Sequence, residues 1–190
     1  IVGSSGSGKT TFIDILIGLI LNRKGSLKID GKEINEDNVK SYQKNFGYIP
    51  QNFYLFDNSI RQNIAINEHN LNAPDINEDK IILKILQNLK LKEILGKKGL
   101  DTQVGENAIR LSGGQRQRLG IARILYHNKE ILLLDEATNA LDKQTEKEIF
   151  DLIYSLREKK TIIISTHSVE MLNNCDEVYE IKNNNLNKIK

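Results

Sequence analysis

Two glycine-rich turns carry most of the chemical information in this chain of 190 residues. Gly3-Ser4-Ser5-Gly6-Ser7-Gly8-Lys9-Thr10 has the residue types and spacing of a phosphate-binding loop. Its glycines let backbone N–H groups curl around phosphate oxygens, Lys9 reaches toward the β- and γ-phosphates, and the Thr10 hydroxyl meets Mg²⁺. Ser4, Ser5, Ser7 and the following Thr11 complete the set of expected nucleotide contacts. The other reading is a Gly/Ser turn with no ligand. The apolar residues before the loop and the apolar helix after it favour the phosphate site. Leu111-Ser112-Gly113-Gly114-Gln115 is a second glycine-rich turn with a hydroxyl, again leading into a helix. One chain with two phosphate-seeking turns suggests that one of them serves a nucleotide held mainly by something else. That points to a machine that works as a pair.

Acids and a histidine follow two apolar runs. Ile131-Leu132-Leu133-Leu134 ends at Asp135-Glu136, and Thr161-Ile162-Ile163-Ile164 ends just before His167. The first has the form of a Walker B strand, the usual partner of a Walker A loop such as Gly3–Thr10. Asp135 at its tip should hold Mg²⁺ directly or through water. Its alternative is to N-cap a turn starting at Ala137. Glu136 is placed to orient a water against the γ-phosphate, and a general base contributes typically about 10²–10⁴-fold in rate. A buried carboxylate pair needs a reason to exist, which a divalent cation supplies. His167 reads either as a phosphate sensor or as a satisfied structural histidine. Gln51 follows Pro50, which ends strand pairing and frees the glutamine side chain at a sheet edge.

The elements that must position these groups are legible in outline. Ile1-Val2, Ile131–Leu134 and Thr161–Ile164 are unbroken apolar runs, which suit parallel strands buried on both faces. Ligands of open α/β sheets bind outside the carboxyl ends of the strands. The pattern therefore places the lysine, the acidic pair and the histidine along one edge of one sheet. Helices are expected over Thr10–Leu21, buried and apolar nearly all round, and over Asp79–Leu95 with Gly96 as its stop. A third should start near Gln115, with Ser112 and Gln115 as a capping box, and a fourth covers Glu146–Leu156. Asn67–Asn77, with Pro74 and many asparagines, reads as a loop. The expected organisation is a single domain. Residues 1–58 and 127–182 form its α/β core, 59–126 an inserted helical lobe, and 183–190 a polar tail that frays or makes a short edge hairpin.

Composition narrows the function classes. The formal net charge of +2 creates no field demanding nucleic acid or an anionic membrane. The single cysteine, Cys175, cannot form an internal disulfide and reads as a packing residue. No apolar run approaches the roughly 20 residues that span a bilayer. The chain opens on Ile1-Val2 directly before the phosphate loop. A complete strand normally precedes such a loop, so the chain reads as a fragment lacking its N-terminal portion.

The order of these motifs resembles the ATP-binding domain of ABC proteins: Walker A, Gln51 after Tyr48-Ile49-Pro50, Leu-Ser-Gly-Gly-Gln, Walker B, His167. The resemblance covers Ile1 to about Ile181. It implies a P-loop NTPase fold of the ABC ATPase type, with a mostly parallel core sheet and an inserted α-helical subdomain. It also implies ATP and Mg²⁺ as ligands. Gln51 becomes the Q-loop residue that contacts Mg²⁺ or water and senses a membrane partner. Ser112, Gly113 and Gly114 cap the γ-phosphate of ATP bound to the opposite subunit, and Gln115 joins the nucleotide contacts. Asn139-Ala140-Leu141-Asp142 becomes the loop crossing between subunits, and His167 the switch histidine. The family usually has Ser at the position of Asn139, a mild departure. Its adenine-stacking aromatic lies upstream of Walker A, outside this chain.

Phe53-Tyr54-Leu55-Phe56-Asp57-Asn58-Ser59-Ile60-Arg61-Gln62-Asn63-Ile64 resembles the corresponding segment of exporter-type ABC transporters. Thr102-Gln103-Val104-Gly105-Glu106 is similar to the exporter loop just before the signature turn. The aromatic cluster after Gln51 reads equally as lobe core or as a groove for a partner helix. The resemblance therefore implies the nucleotide-binding domain of an ABC exporter, pairing with a second such domain, a homodimer being favoured. It implies a transmembrane domain fused upstream and residence at the cytoplasmic face of a membrane, with no nucleic-acid partner. Two alternatives come from other classes. One is a soluble ABC ATPase of DNA repair or chromosome maintenance, against which stand the compact lobe and the lack of a CxxC pair or basic bias. The other is a module that dimerises on ATP without turnover, against which stand Glu136 and His167.

Overall fold

The computed structural model describes residues 1–21, 24–66 and 76–190. The chain forms α1 (Lys9–Leu16), a hairpin of β1 (Lys28–Ile29) and β2 (Lys32–Glu33), α2 (Val39–Gln43) and β3 (Phe46–Ile49). Helices α3 (Ile60–Ile64) and α4 (Ile76–Asn88) follow, then short 3₁₀ turns within Lys92–Asp101 and Glu106–Ala108, then α5 (Gly113–Tyr126). β4 (Ile131–Asp135), α6 (Lys143–Tyr154), β5 (Thr161–Ser165), α7 (Val169–Asn174), β6 (Tyr179–Lys182) and β7 (Asn185–Lys188) complete it. The chain divides into two compact units, one of residues 1–50, 129–136 and 160–190, the other of residues 51–128 and 137–159.

The first unit is built on a parallel sheet of order β3-β4-β5. Leu132, Leu133 and Leu134 are almost wholly buried, as an unbroken apolar run in a parallel strand requires. On one face, Leu133 packs with Ile13 and Ile17, and Phe46, Tyr48 and Ile163 close around them. Ile1-Val2 lies along the far side of β5 rather than forming a full strand. Thr166 N–H donates to the Ile1 carbonyl at 3.2 Å, and Val2 N–H donates to the Tyr179 carbonyl at 2.8 Å. The three apolar runs thus lie side by side, and β3 adds a fourth segment to the row.

Several helix boundaries differ from expectation. The first helix ends at Leu16, not Leu21, because Gly18 turns left-handed at φ +72°. Gly18 N–H then reaches the Ile15 carbonyl and Leu19 N–H the Asp14 carbonyl, at 3.0 and 2.8 Å. This is a Schellman closure, and it satisfies carbonyls that would otherwise be orphaned. Burial fails with the helix: Leu19 is 61% exposed. The two antiparallel hairpins, β1–β2 and β6–β7, turn through Asp30-Gly31 and Asn183-Asn184. All four turn residues have positive φ, the signature of type I′ turns, which match the twist of the strands they join. The polar tail is the second strand of the latter hairpin.

The second unit is helical. Ile60, Ile64, Ile82, Leu86, Leu89, Leu119 and Ile121 are fully buried in it. α4 begins at Ile76 and stops at Asn88, before the expected Leu95 and Gly96. Lys90 supplies the left-handed residue at φ +52°, and Leu91 N–H closes on the Leu86 carbonyl at 2.8 Å. A lysine thus does what Gly96 was expected to do. Leu91 and Ile94 remain buried, carried by the following 3₁₀ segment instead. The expected loop over Asn67–Asn77 lies outside the described residues except for Ile76 and Asn77, which open α4. α6 starts earlier than Glu146, because Asp142 accepts from Thr145 N–H at 3.0 Å and caps it.

Candidate functional site

The phosphate loop leaves the end of the sheet and enters α1 through Gly8, which is left-handed at φ +96°. No side chain caps this helix. Its first-turn N–H groups lack intrahelical acceptors, and the helix dipole places positive potential there. Lys9 is only 6% exposed, and its ammonium folds back into the loop, donating to the Gly3 carbonyl at 2.9 Å and the Ser4 carbonyl at 3.3 Å. Gly3 is required by contact: a Cβ there would sit 2.8 Å from the Ile181 carbonyl oxygen. Ser4, Ser5 and Gly6 form the exposed rim, and Thr10 and Thr11 face solvent at the start of α1.

The strand register brings the acids to this loop. Thr10 Oγ1 donates to Asp135 Oδ2 at 2.9 Å, across 125 positions of sequence. Asp135 is 1% exposed. A hydroxyl and a carboxylate so placed are hard oxygen donors of the kind that hold Mg²⁺ together with substrate phosphate. Among the described residues, no group of three or more His, Cys, Asp or Glu side chains could hold a metal alone. One hydroxyl and one carboxylate leave most of an ion's coordination sphere to other oxygens, which fits an ion shared with a phosphate. The uncapped N–H groups and Lys9 fit the phosphate itself.

Glu136 takes φ +51°, an uncommon conformation for a residue with a Cβ. Its N–H donates to the Ser165 carbonyl at 3.0 Å, so β5 holds the turn in place. The carboxylate lies 3.5 Å from Lys9 Nζ and 3.1 Å from His167 Nε2. A carboxylate can only accept here, so the imidazole presents an N–H to it. His167 keeps half its surface open, whereas Glu136 is nearly covered. Local strain at such a residue is common where chemistry is done. Tyr48, on β3, reports the negative potential of this edge. Burial first, then the Asp135 and Asp14 carboxylates, push its phenol up to about 12.

The signature turn and Gln51 belong to the second unit. Ser112 Oγ accepts from Gln115 N–H at 3.2 Å, and Gln115 Oε1 accepts from Ser112 N–H at 2.9 Å. The expected capping box is therefore present. Of the two glycines, Gly114 lies the closer to the 139–142 segment, whereas a Cβ on Gly113 would meet Ala140 Cβ at an ordinary 3.6 Å. A Cβ on Gly114 would lie 3.3 Å from Leu141 Cδ2. Gln117 Oε1 accepts from Ala140 N–H at 2.9 Å, tying that segment to α5. Sequence reasoning missed Gln117, since nothing local signals a contact across 23 positions. Asp142 spends one carboxylate oxygen on capping α6, and the Thr145 backbone N–H holds its carboxyl below the usual range. Gln51 is exposed and lines a cavity of about 330 Å³ with Phe53, Tyr54, Gly113, Arg116 and Ala140. Ser59 and Gln62 make a second capping box, at α3, readable in the sequence as S-x-x-Q but not anticipated.

Comparison with known proteins points to one family. The family model for the ABC transporter matches residues 1–139. An ATP-dependent lipid A-core flippase of Idiomarina loihiensis is 39% identical over 185 residues, covering 96% of this chain and 31% of the flippase. A glutathione/L-cysteine transport system ATP-binding/permease protein of Haemophilus influenzae is 34% identical, covering 94% of this chain and 29% of that protein. Among solved structures, a bacterial Atm1-family ABC exporter with ATP bound superposes with a TM-score of 0.86 at 31% identity, over 98% of this chain and 32% of the exporter. The chain spans about a third of the length of these relatives.

Proposed function

The chain belongs to the ABC transporter family, as a nucleotide-binding domain, and we propose that it binds and hydrolyses ATP to drive export or flipping of a substrate across a membrane. The observation that carries the reading is the meeting of Lys9, Thr10, Asp135, Glu136 and His167 at the carboxyl edge of one parallel sheet. The backbone of residues 3–8 and the start of α1 cradle the β- and γ-phosphates, and Lys9 neutralises them. Thr10 and Asp135 would hold the Mg²⁺, which when bound offsets the phosphate charge. Glu136 accepts a proton from the attacking water. His167 orients Glu136 and contacts the γ-phosphate once Lys9 turns to the nucleotide. Residues 1–58 and 127–182 act as the nucleotide-holding core, and 59–126 as the lobe that presents Ser112–Gln115.

The two phosphate-seeking turns support a composite site. Each ATP is sandwiched between two copies, with the Walker motifs and His167 from one and Ser112, Gly113 and Gly114 from the other. Asp142 and its neighbours line the crossing between them. The transport activities of the relatives support a transmembrane partner and a position at the cytoplasmic face of its membrane. Among the described residues, no helix is long and apolar enough to cross a membrane. Ser112→Arg tests the pairing. It should leave ATP binding to the single copy intact but abolish ATP-dependent dimerisation in light scattering. Loss of cap stability, about 1 kcal/mol, is too small to unfold the lobe. Weakened ATP binding to the single copy would contradict the composite site.

A further inference from the structure

Ser165 is 1% exposed, and its hydroxyl finds no hydrogen-bond partner among the described residues. A buried hydroxyl left unpaired costs about 1–3 kcal/mol, so its place needs a reason. The register of the sheet supplies one. Ser165 pairs with Asp135 across β4 and β5. Paired residues of parallel strands project from the same face, and side chains alternate along each strand. Two positions before, Leu133 clusters with Ile13 of α1, and Ile163 packs against that cluster. Asp135 and Ser165 therefore share the α1 face, and Thr10 meets Asp135 on that face. Neighbouring strands stand about 4.8 Å apart. Side chains of paired residues at that spacing lie close enough for one water to bridge a hydroxyl and a carboxylate.

We propose that Ser165 is a positioning residue for the divalent cation, its hydroxyl holding a water that bridges to the Asp135 carboxylate. This rests on the reading that Asp135 serves the cation. The water fixes the rotamer of Asp135 and keeps its lone pairs directed toward the ion. On this face β5 offers Thr161, Ile163 and Ser165; Thr161 lies at the far, exposed end, so Ser165 is the polar side chain at the Asp135 end. Outer partners of this kind typically change metal affinity by about 10–100-fold when removed.

Ser165→Ala removes one oxygen and no carbon, so the fold is retained. Mn²⁺ binding to the ATP-loaded protein at its natural length is followed by electron paramagnetic resonance, and binding of a fluorescent ATP analogue is followed in EDTA. We expect Mn²⁺ to bind about tenfold more weakly to the variant, with metal-free nucleotide binding unchanged, and Ser165→Thr to restore the affinity. Equal Mn²⁺ affinity in Ser165→Ala and wild type overturns the proposal, as does an equal loss of metal-free nucleotide binding. If wild-type protein gains no Mn²⁺ site on binding ATP, the reading of Asp135 falls as well.

Discussion

Replacing Glu136 by Gln separates two roles proposed for its carboxylate. The substitution keeps volume and backbone conformation, so the left-handed turn and its bond to Ser165 persist. It removes one charge that stands 3.5 Å from Lys9 Nζ, where the two side chains are only 12% and 6% exposed. At an effective dielectric of about 20, that pair is worth roughly 5 kcal/mol of Coulomb attraction. Desolvation offsets most of it. Binding ATP requires Lys9 to exchange this carboxylate for phosphate and brings two anions together. With a net penalty of about 1.4 kcal/mol lifted, Glu136→Gln should bind ATP about tenfold more tightly. Turnover should fall by about 10²–10⁴-fold, since an amide cannot take the proton. Titration with a fluorescent ATP analogue and a phosphate-release assay measure the two. Turnover near the wild-type rate refutes Glu136 as base. Weaker nucleotide binding refutes the argument that its charge competes for Lys9.

Gly18→Ala should destabilise the first unit by at least about 1–2 kcal/mol, the cost of a left-handed residue with a Cβ. The new Cβ would also meet Val39 Cγ2 at 2.5 Å. The thermal midpoint should drop by about 2–4 °C for each kcal/mol, and an unchanged midpoint would disprove the Schellman closure. Asp142 offers a pH test. Its folded pKa is lowered, chiefly by the Thr145 backbone N–H, so its contribution is present above the unfolded value near 4 and is lost as pH falls through the folded value. Asp142→Asn keeps the cap without the charge. Urea midpoints at pH 7 should match the wild type, while the loss on going to pH 3 should be smaller. An identical acid loss would mean that Asp142 contributes none of it.

The chemistry was more legible than the boundaries. Gly3–Thr10 and Ser112–Gln115 are contiguous, so residue type and spacing suffice: a loop's glycines and a helix cap act within a few residues. Helix ends were harder. Lys90 is left-handed where the sequence offers Gly96 nearby, because burying Leu91 and Ile94 outweighs the local preference for glycine. Asp30-Gly31 is a turn signal that residue type alone carries. Asn183-Asn184 carries a weaker signal, since asparagine takes positive φ only where the strands on either side demand it.

What the sequence determined by itself is the inventory: two anion-seeking turns, an acidic pair after a buried strand, a histidine after another, and the family that orders them so. Tertiary structure decided the distances. Thr10 meets Asp135 across 125 positions and Glu136 meets His167 across 31 because β4 and β5 pair in one register. The same register puts Ser165 beside Asp135, which no local pattern announces. Slipping that register by one residue would turn Asp135 to the opposite face. Burial of Leu133 against Ile13 and Ile17 forbids the slip, so the packing of the apolar core sets where the charged groups stand.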